Sequence, residues 1–89
     1  MANVVFISPY NKITGEDAII IEADNVRQLC NKIIEKYGSD MEFLLDETGE
    51  LSRKIVLLVN RRNAYTLSGT DTPIFQDTEV MIMPYLGWG

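Results

Sequence analysis

The chain has no histidine and a single cysteine among its 89 residues, and these two shortages remove much common catalytic and metal chemistry. Without an imidazole there is no histidine-based dyad or triad, and the usual imidazole metal sites are absent. A lone thiol, Cys30, excludes an internal disulfide and any multi-cysteine metal site, and it fits a reducing compartment. Long hydrophobic runs are also missing. Ile55 to Val59 is strand-sized and far short of the roughly 20 residues a membrane span needs. Basic residues are scarce, eight against thirteen acidic ones, for a formal charge of −5. Nucleic-acid affinity rests largely on neutralising phosphates, so this balance disfavours nucleic acid and anionic membranes as partners. It favours a basic protein surface or simply maintains solubility. The opening Met1-Ala2-Asn3-Val4-Val5 lacks the basic patch, apolar core and small-residue site of a signal peptide, so a cytoplasmic location is expected.

What is present is ordinary for a folded domain: 46% hydrophobic and 24% charged residues, with neither repeats nor low-complexity segments. A chain of this size makes one domain that buries roughly 60 to 65% of its unfolded surface. Little room remains for an internal active site.

Asn3 to Ser8 and Asp17 to Glu22 are β-rich runs on either side of a loop with several turn formers, which predicts an N-terminal hairpin. From Asp24 the period changes. Val26, Leu29, Cys30, Ile33, Ile34 and Tyr37 form one stripe of an amphipathic helix, and Arg27, Gln28, Lys32, Glu35 and Lys36 take the wet face. Asp24 or Asn25 can cap the first turn, Gln28 suits a capping box, and Gly38 suits the left-handed position past the end. Met41 to Leu45 is open between a helical turn and an extended piece, and Asp46 to Glu50 reads as a polar turn. Ile55 to Val59 and Ala64 to Leu67, joined by Asn60-Arg61-Arg62-Asn63, predict a second hairpin. Asp71-Thr72-Pro73-Ile74 suggests a short helical turn, and Asp77-Thr78 leads into a last strand, Glu79 to Met83, closed by Pro84.

One helix can cover only one face of a sheet. Val4 to Ile7, Ile55 to Val59 and Val80 to Met83 nevertheless carry apolar residues at adjacent, oppositely facing positions. The second face is therefore either covered by loops and the tail or available for docking a protein. After Pro84 come Tyr85, Leu86, Gly87, Trp88 and Gly89, a tail ending in glycine. A free carboxylate on a slim leash suits delivery to another protein's active site, because glycine can enter a crevice closed to larger residues.

This order of elements resembles the ubiquitin-like sulfur carriers of the MoaD/ThiS type, the molybdopterin synthase small subunit and the thiamine-pathway carrier. The resemblance rests on Val59-Asn60 leading into a short turn, Asp71-Thr72-Pro73-Ile74, Asp77-Thr78-Glu79-Val80 and a strand ending at Pro84 before glycines. Asp46 to Arg53 further resembles the acidic, glycine-containing loop of longer members. The resemblance implies an α+β, β-grasp fold: a mixed sheet of about four or five strands on one main helix, over residues 1–84, with a flexible tail at 85–89. It implies a carrier rather than an enzyme, without a permanently bound cofactor or metal. Gly89 is then the acyl end, adenylated with ATP by a ubiquitin-activating-type enzyme and converted to a thiocarboxylate. Tyr85, Leu86, Gly87 and Trp88 would contact that enzyme or the large subunit of a sulfur-accepting synthase, in cofactor or metabolite biosynthesis such as that of molybdopterin or thiamine. Pro84 to Gly89 can reach roughly 17 Å, at about 3.3 to 3.6 Å per residue.

The family usually ends in two glycines, whereas here Trp88 is penultimate. Three readings follow. Trp88 anchors the tail in a wider channel, or a protease trims Trp88 and Gly89, or the chain is a non-covalent binding subunit that docks through its sheet face and Trp88. Among other side chains, Cys30 on the helix stripe reads as core. Glu16, Asp17, Glu47, Glu50, Asp77 and Glu79 read as solvated turns, and Arg61 and Arg62 as hydrated turn residues. Phe75 reads as core.

Overall fold

The computed structural model describes residues 1–85. In chain order it contains β1 (Ala2–Phe6), α1 (Tyr10–Thr14), β2 (Ala18–Ile21), α2 (Val26–Tyr37), a 3-10 segment (Gly38–Leu44), β3 (Ile55–Val59) and β4 (Arg62–Asn63). Two short 3-10 turns, Ala64–Thr66 and Gly69–Asp71, then precede β5 (Thr78–Pro84). The five strands form one sheet in the order β2-β1-β5-β3-β4. The first and last strands, β1 and β5, lie parallel at its centre, with Val4 opposite Val80 and Phe6 opposite Ile82. The other pairs are antiparallel. The mixed sheet and single long helix match the α+β expectation.

The two-residue period of the strands divides the sheet into a dry and a wetter face. Val4, Phe6, Leu57, Val80 and Ile82 are buried on the helix side, where Val26, Leu29, Cys30 and Ile33 of α2 meet them. Fully burying one such aliphatic side chain contributes roughly 1.5–3 kcal/mol, so this layer dominates the stability. The helix starts as expected: Asn25 Oδ1 accepts from the Gln28 N–H at 2.8 Å. The Gln28 side chain reaches back one residue further than a capping box, accepting from the Asp24 N–H at 2.8 Å. Gly38 closes the helix at φ +78°, a conformation glycine adopts without strain.

Four local readings need completion or correction. The N-terminal hairpin forms, but its loop contains the short helix α1, whose Tyr10 is buried against Phe43. Met41 to Leu45, left open by the sequence, joins a 3-10 segment that buries Met41 and Leu44. The expected strand Ala64 to Leu67 is instead a 3-10 turn. Asn60 and Arg61, both at positive φ, make the reversal, so that β4 begins already at Arg62. Asn63 Oδ1 then accepts from the Tyr65 N–H at 3.0 Å and starts the turn. Finally, Thr72 to Ile74 is extended rather than helical, because a residue before proline is pushed away from the helical region. This stretch bridges to the start of α2, with the Val26 N–H on the Thr72 carbonyl at 3.0 Å and the Ile74 N–H on the Asp24 carbonyl at 2.9 Å.

Asp46 to Glu50 is a hydrogen-bonded turn, as expected. Asp46 Oδ1 accepts from the Thr48 N–H and hydroxyl and from the Glu50 N–H, at 2.8, 2.6 and 3.1 Å. The Thr48 side-chain bond above all holds this carboxyl below its ordinary range. Arg27, read as a wet-face residue, ties α2 to Asp71 and Thr70, each at 2.7 Å.

Candidate functional site: the end of β5 and the outer sheet face

The centre of the sheet leads directly to the tail. β5 is held on both sides, by β1 and β3, up to Ile82, and by β3 alone from there to Pro84, which lies opposite Ile55. One further backbone bond, from the Tyr85 N–H to the Lys54 carbonyl at 3.1 Å, fixes where the chain leaves the sheet. Of the expected tail contacts, Tyr85 is thus placed, with its side chain 51% exposed. Leu86, Gly87, Trp88 and the proposed acyl end Gly89 lie outside the described residues.

A recess of about 270 Å³ adjoins this exit, lined by Arg53, Ile55, Val56, Asn63, Tyr65 and Tyr85. Its wall is well braced. The Tyr65 hydroxyl donates toward the carbonyls of Leu51, at 3.0 Å, and Ser52, and the Arg53 guanidinium lies 5.6 Å from the Tyr65 ring centre. Arg53 and Tyr65 were not singled out by the sequence. The signal that could have found them is Arg53's position just before an apolar strand, the same end of the sheet from which an antiparallel neighbour must exit.

The outer sheet face carries the apolar residues that the strand patterns left over. Register places Val5 beside Met81, Met81 beside Leu58, and Met83 beside Val56, so these five side chains form a continuous half-buried patch across β1, β5 and β3. The patch reaches the end of β5 at which the tail departs.

The remaining candidates separate cleanly. Cys30 is fully buried, and burial pushes its thiol up to about 12. It belongs to the core as expected. We expect no reaction with a thiol-specific reagent in the native state under conditions that label the denatured chain completely; rapid native labelling would contradict its placement. Glu16, Asp17, Glu47, Glu50 and Asp77 are exposed and Glu79 is half-buried. Among the described residues no group of three or more His, Cys, Asp or Glu side chains is placed to hold a metal ion. Arg61 and Arg62 are exposed at the β3–β4 reversal, as expected. Phe75 corrects the sequence reading: it is 68% exposed. The Thr78 hydroxyl accepts from the Phe75 N–H at 2.9 Å, and Asp77 turns at φ +65°, which leaves neighbouring Ile74 to supply the core contact instead. No helix among the described residues is long and apolar enough to cross a membrane.

Comparison with known proteins agrees with this architecture. No protein-family model matches the chain. A protein of Archaeoglobus fulgidus named as a sulfur carrier is 35% identical over 75 residues, covering 84% of this chain and 85% of the relative. The fold superimposes on CysO in the BexX/CysO complex of Amycolatopsis orientalis with a TM-score of 0.86, at 18% identity and with 100% of both chains covered. Mycobacterium tuberculosis CysO gives a TM-score of 0.85 at 21% identity, over 97% of this chain and 100% of CysO. Small archaeal modifier protein 1 of Methanosarcina acetivorans gives 0.84 at 21% identity, over 99% of this chain and 95% of that one. With its β-grasp fold and its extended identity to a named carrier, the chain belongs to the ubiquitin-like sulfur carrier family of the MoaD/ThiS type.

Proposed function

We propose that this chain carries sulfur as a thiocarboxylate on Gly89, after adenylation by a ubiquitin-activating-type enzyme. The observation that supports it most is the placement of β5. The central strand brings Tyr85 to the edge of the apolar outer face formed by Val5, Val56, Leu58, Met81 and Met83.

The chemistry asks for a partner because a carboxylate is a poor acyl donor. The Gly89 carboxylate oxygen attacks the α-phosphorus of ATP, pyrophosphate leaves, and an acyl adenylate forms. A sulfide then attacks the carbonyl carbon and AMP departs, leaving a carbon–sulfur bond in place of the carbon–oxygen bond. A persulfide donor serves equally if a second thiol then cleaves its sulfur–sulfur bond. The nucleotide and the catalytic groups belong to the partner, and no resident cofactor is required of this chain. Its own work is reach, recognition and release to a sulfur acceptor such as a synthase large subunit, in cofactor or metabolite biosynthesis. Trp88 serves as an apolar anchor in the partner's channel, since one buried tryptophan often dominates an interface.

The test is ATP–pyrophosphate exchange by the cognate adenylating enzyme, with this chain as substrate. Exchange should depend on the chain, and Leu58→Asp, which places a charge within the docking patch beside Met81, should raise KM by about tenfold or more. Exchange that never responds to the chain contradicts the carrier reading. Unchanged KM for Leu58→Asp removes the docking face but leaves the carrier chemistry standing.

A further inference from the structure

The sheet has an unguarded edge at β2, on the far side from β3 and β4. In the β1–β2 ladder the Phe6 N–H bonds the Asp17 carbonyl at 2.8 Å, which makes Phe6 and Asp17 a hydrogen-bonded pair. Such pairs alternate along an antiparallel ladder. Ile19 and Ile21, opposite Val4 and Ala2, therefore bond to β1, whereas Ala18 and Ile20 turn their N–H and C=O groups to the open edge. Natural edges are commonly blunted by lysine, proline or a bulge. The strand Ala18-Ile19-Ile20-Ile21 has neither lysine nor proline, and the Ile20 side chain is 67% exposed.

Two further observations define what fits. A recess of about 400 Å³ lies beside Ile20, lined among others by Met1, Asn3, Asp77 and Glu79. Asn3 stands opposite both Ile20 and Glu79, so recess and edge are continuous. The surroundings are also acidic, with Glu16 and Asp17 before the strand, Glu22 and Asp24 after it, and Asp77 and Glu79 in the recess. Among the described residues, the cation bonded at this edge is Lys32, whose ammonium donates to the Glu22 carbonyl.

We propose that β2 is a second docking site, taking an extended basic segment of a partner protein as an added strand. Backbone bonds to Ala18 and Ile20 supply the pairing, an aliphatic side chain sits beside Ile20, and flanking lysines or arginines meet the carboxylates. Strand addition of this kind draws affinity from the main chain and specificity from alternate side chains. Antiparallel self-pairing in the register with Ala18 opposite Ile20, which uses both free residues of each copy, would set Glu16 against Glu22 at both ends. Like charges directly opposite one another destabilise a pair.

The experiment uses the full chain and an amidated peptide of alternating valine and isoleucine flanked by two lysines on each side, followed by amide NMR. The expected result is saturable shifts and added exchange protection at the Ala18 and Ile20 amides. Ile20→Pro removes an N–H that the β1 ladder does not use, and Ile20→Lys guards the edge while keeping every backbone group. Each should weaken binding by about tenfold or more, and so should replacing the peptide's lysines with glutamates. Absent or displaced shifts overturn the proposal, as does undiminished binding by a folded Ile20→Lys protein or by the acidic peptide. Protection of Ala18 and Ile20 that rises with protein concentration in the absence of peptide would assign the edge to self-association instead. The readout needs no adenylating enzyme, so it stands or falls separately from the carrier chemistry.

Discussion

Deleting Gly89 is expected to reduce adenylation to background while leaving the melting temperature unchanged. The last backbone bond to the sheet among the described residues is the one from Tyr85 to Lys54, and the residue removed lies beyond it. The reacting atom is lost and the described core stays intact. Extending the chain past Gly89 should have the same effect, because it converts the nucleophilic carboxylate into an amide. Pyrophosphate exchange and thermal unfolding of the two variants, measured beside the parent, check both halves of the expectation. Adenylation retained by the shortened chain would remove Gly89 from its role. Loss of activity together with a lower melting temperature would show that the tail supports the fold.

The largest effect on stability is expected from Ile82→Ala. Ile82 stands at the centre of the sheet, between Phe6 of β1 and Leu57 of β3, and is fully buried on the helix side. Truncating a buried isoleucine costs roughly 2–5 kcal/mol through lost transfer energy and the cavity left behind. Native domains have only about 5–15 kcal/mol in total. A loss near 3 kcal/mol lowers the melting temperature by roughly 12 to 24 °C, at about 4 to 8 °C per kcal/mol for a domain this small. Urea unfolding should show a lower midpoint with an unchanged slope. Met81→Ala, one residue away but on the half-buried outer face, should cost distinctly less. Equal losses for the two variants would contradict the assignment of the faces.

The elements legible in the sequence were those whose pattern is local. The helix stripe from Val26 to Tyr37 and its caps at Asn25 and Gly38 follow from period and end chemistry, and the structure reproduces them. The apolar strands are legible for the same reason, and their leftover apolar positions correctly announced an outer patch at Val5, Leu58 and Met81. Failures arose where a long-range partner or a turn at positive φ decides. Thr72 to Ile74 is extended because Pro73 disfavours a helical Thr72, a local signal the helical reading passed over, and because the stretch pairs with the start of α2, a contact across the chain that no local window displays. Ala64 to Leu67 looks like a strand by composition, but the positive φ of Asn60 and Arg61 spends the reversal early and leaves β4 only two residues. Phe75 was assigned to the core on its size, yet the turn at Asp77 gives that role to Ile74. The apolar outer face was thus visible as a surplus of apolar residues, whereas the Arg53–Tyr65–Tyr85 recess required the register of β3 against β5.

The most direct test of the carrier reading is the intact mass of the protein after incubation with its adenylating enzyme, ATP and a sulfur donor, with fragmentation to locate any change. A mass gain of one oxygen-to-sulfur exchange placed at Gly89 is the predicted result, and it would show that Trp88 is compatible with activation. An unchanged mass, beside a control carrier that the same mixture converts, would contradict the account and leave a ubiquitin-like fold that docks without carrying sulfur.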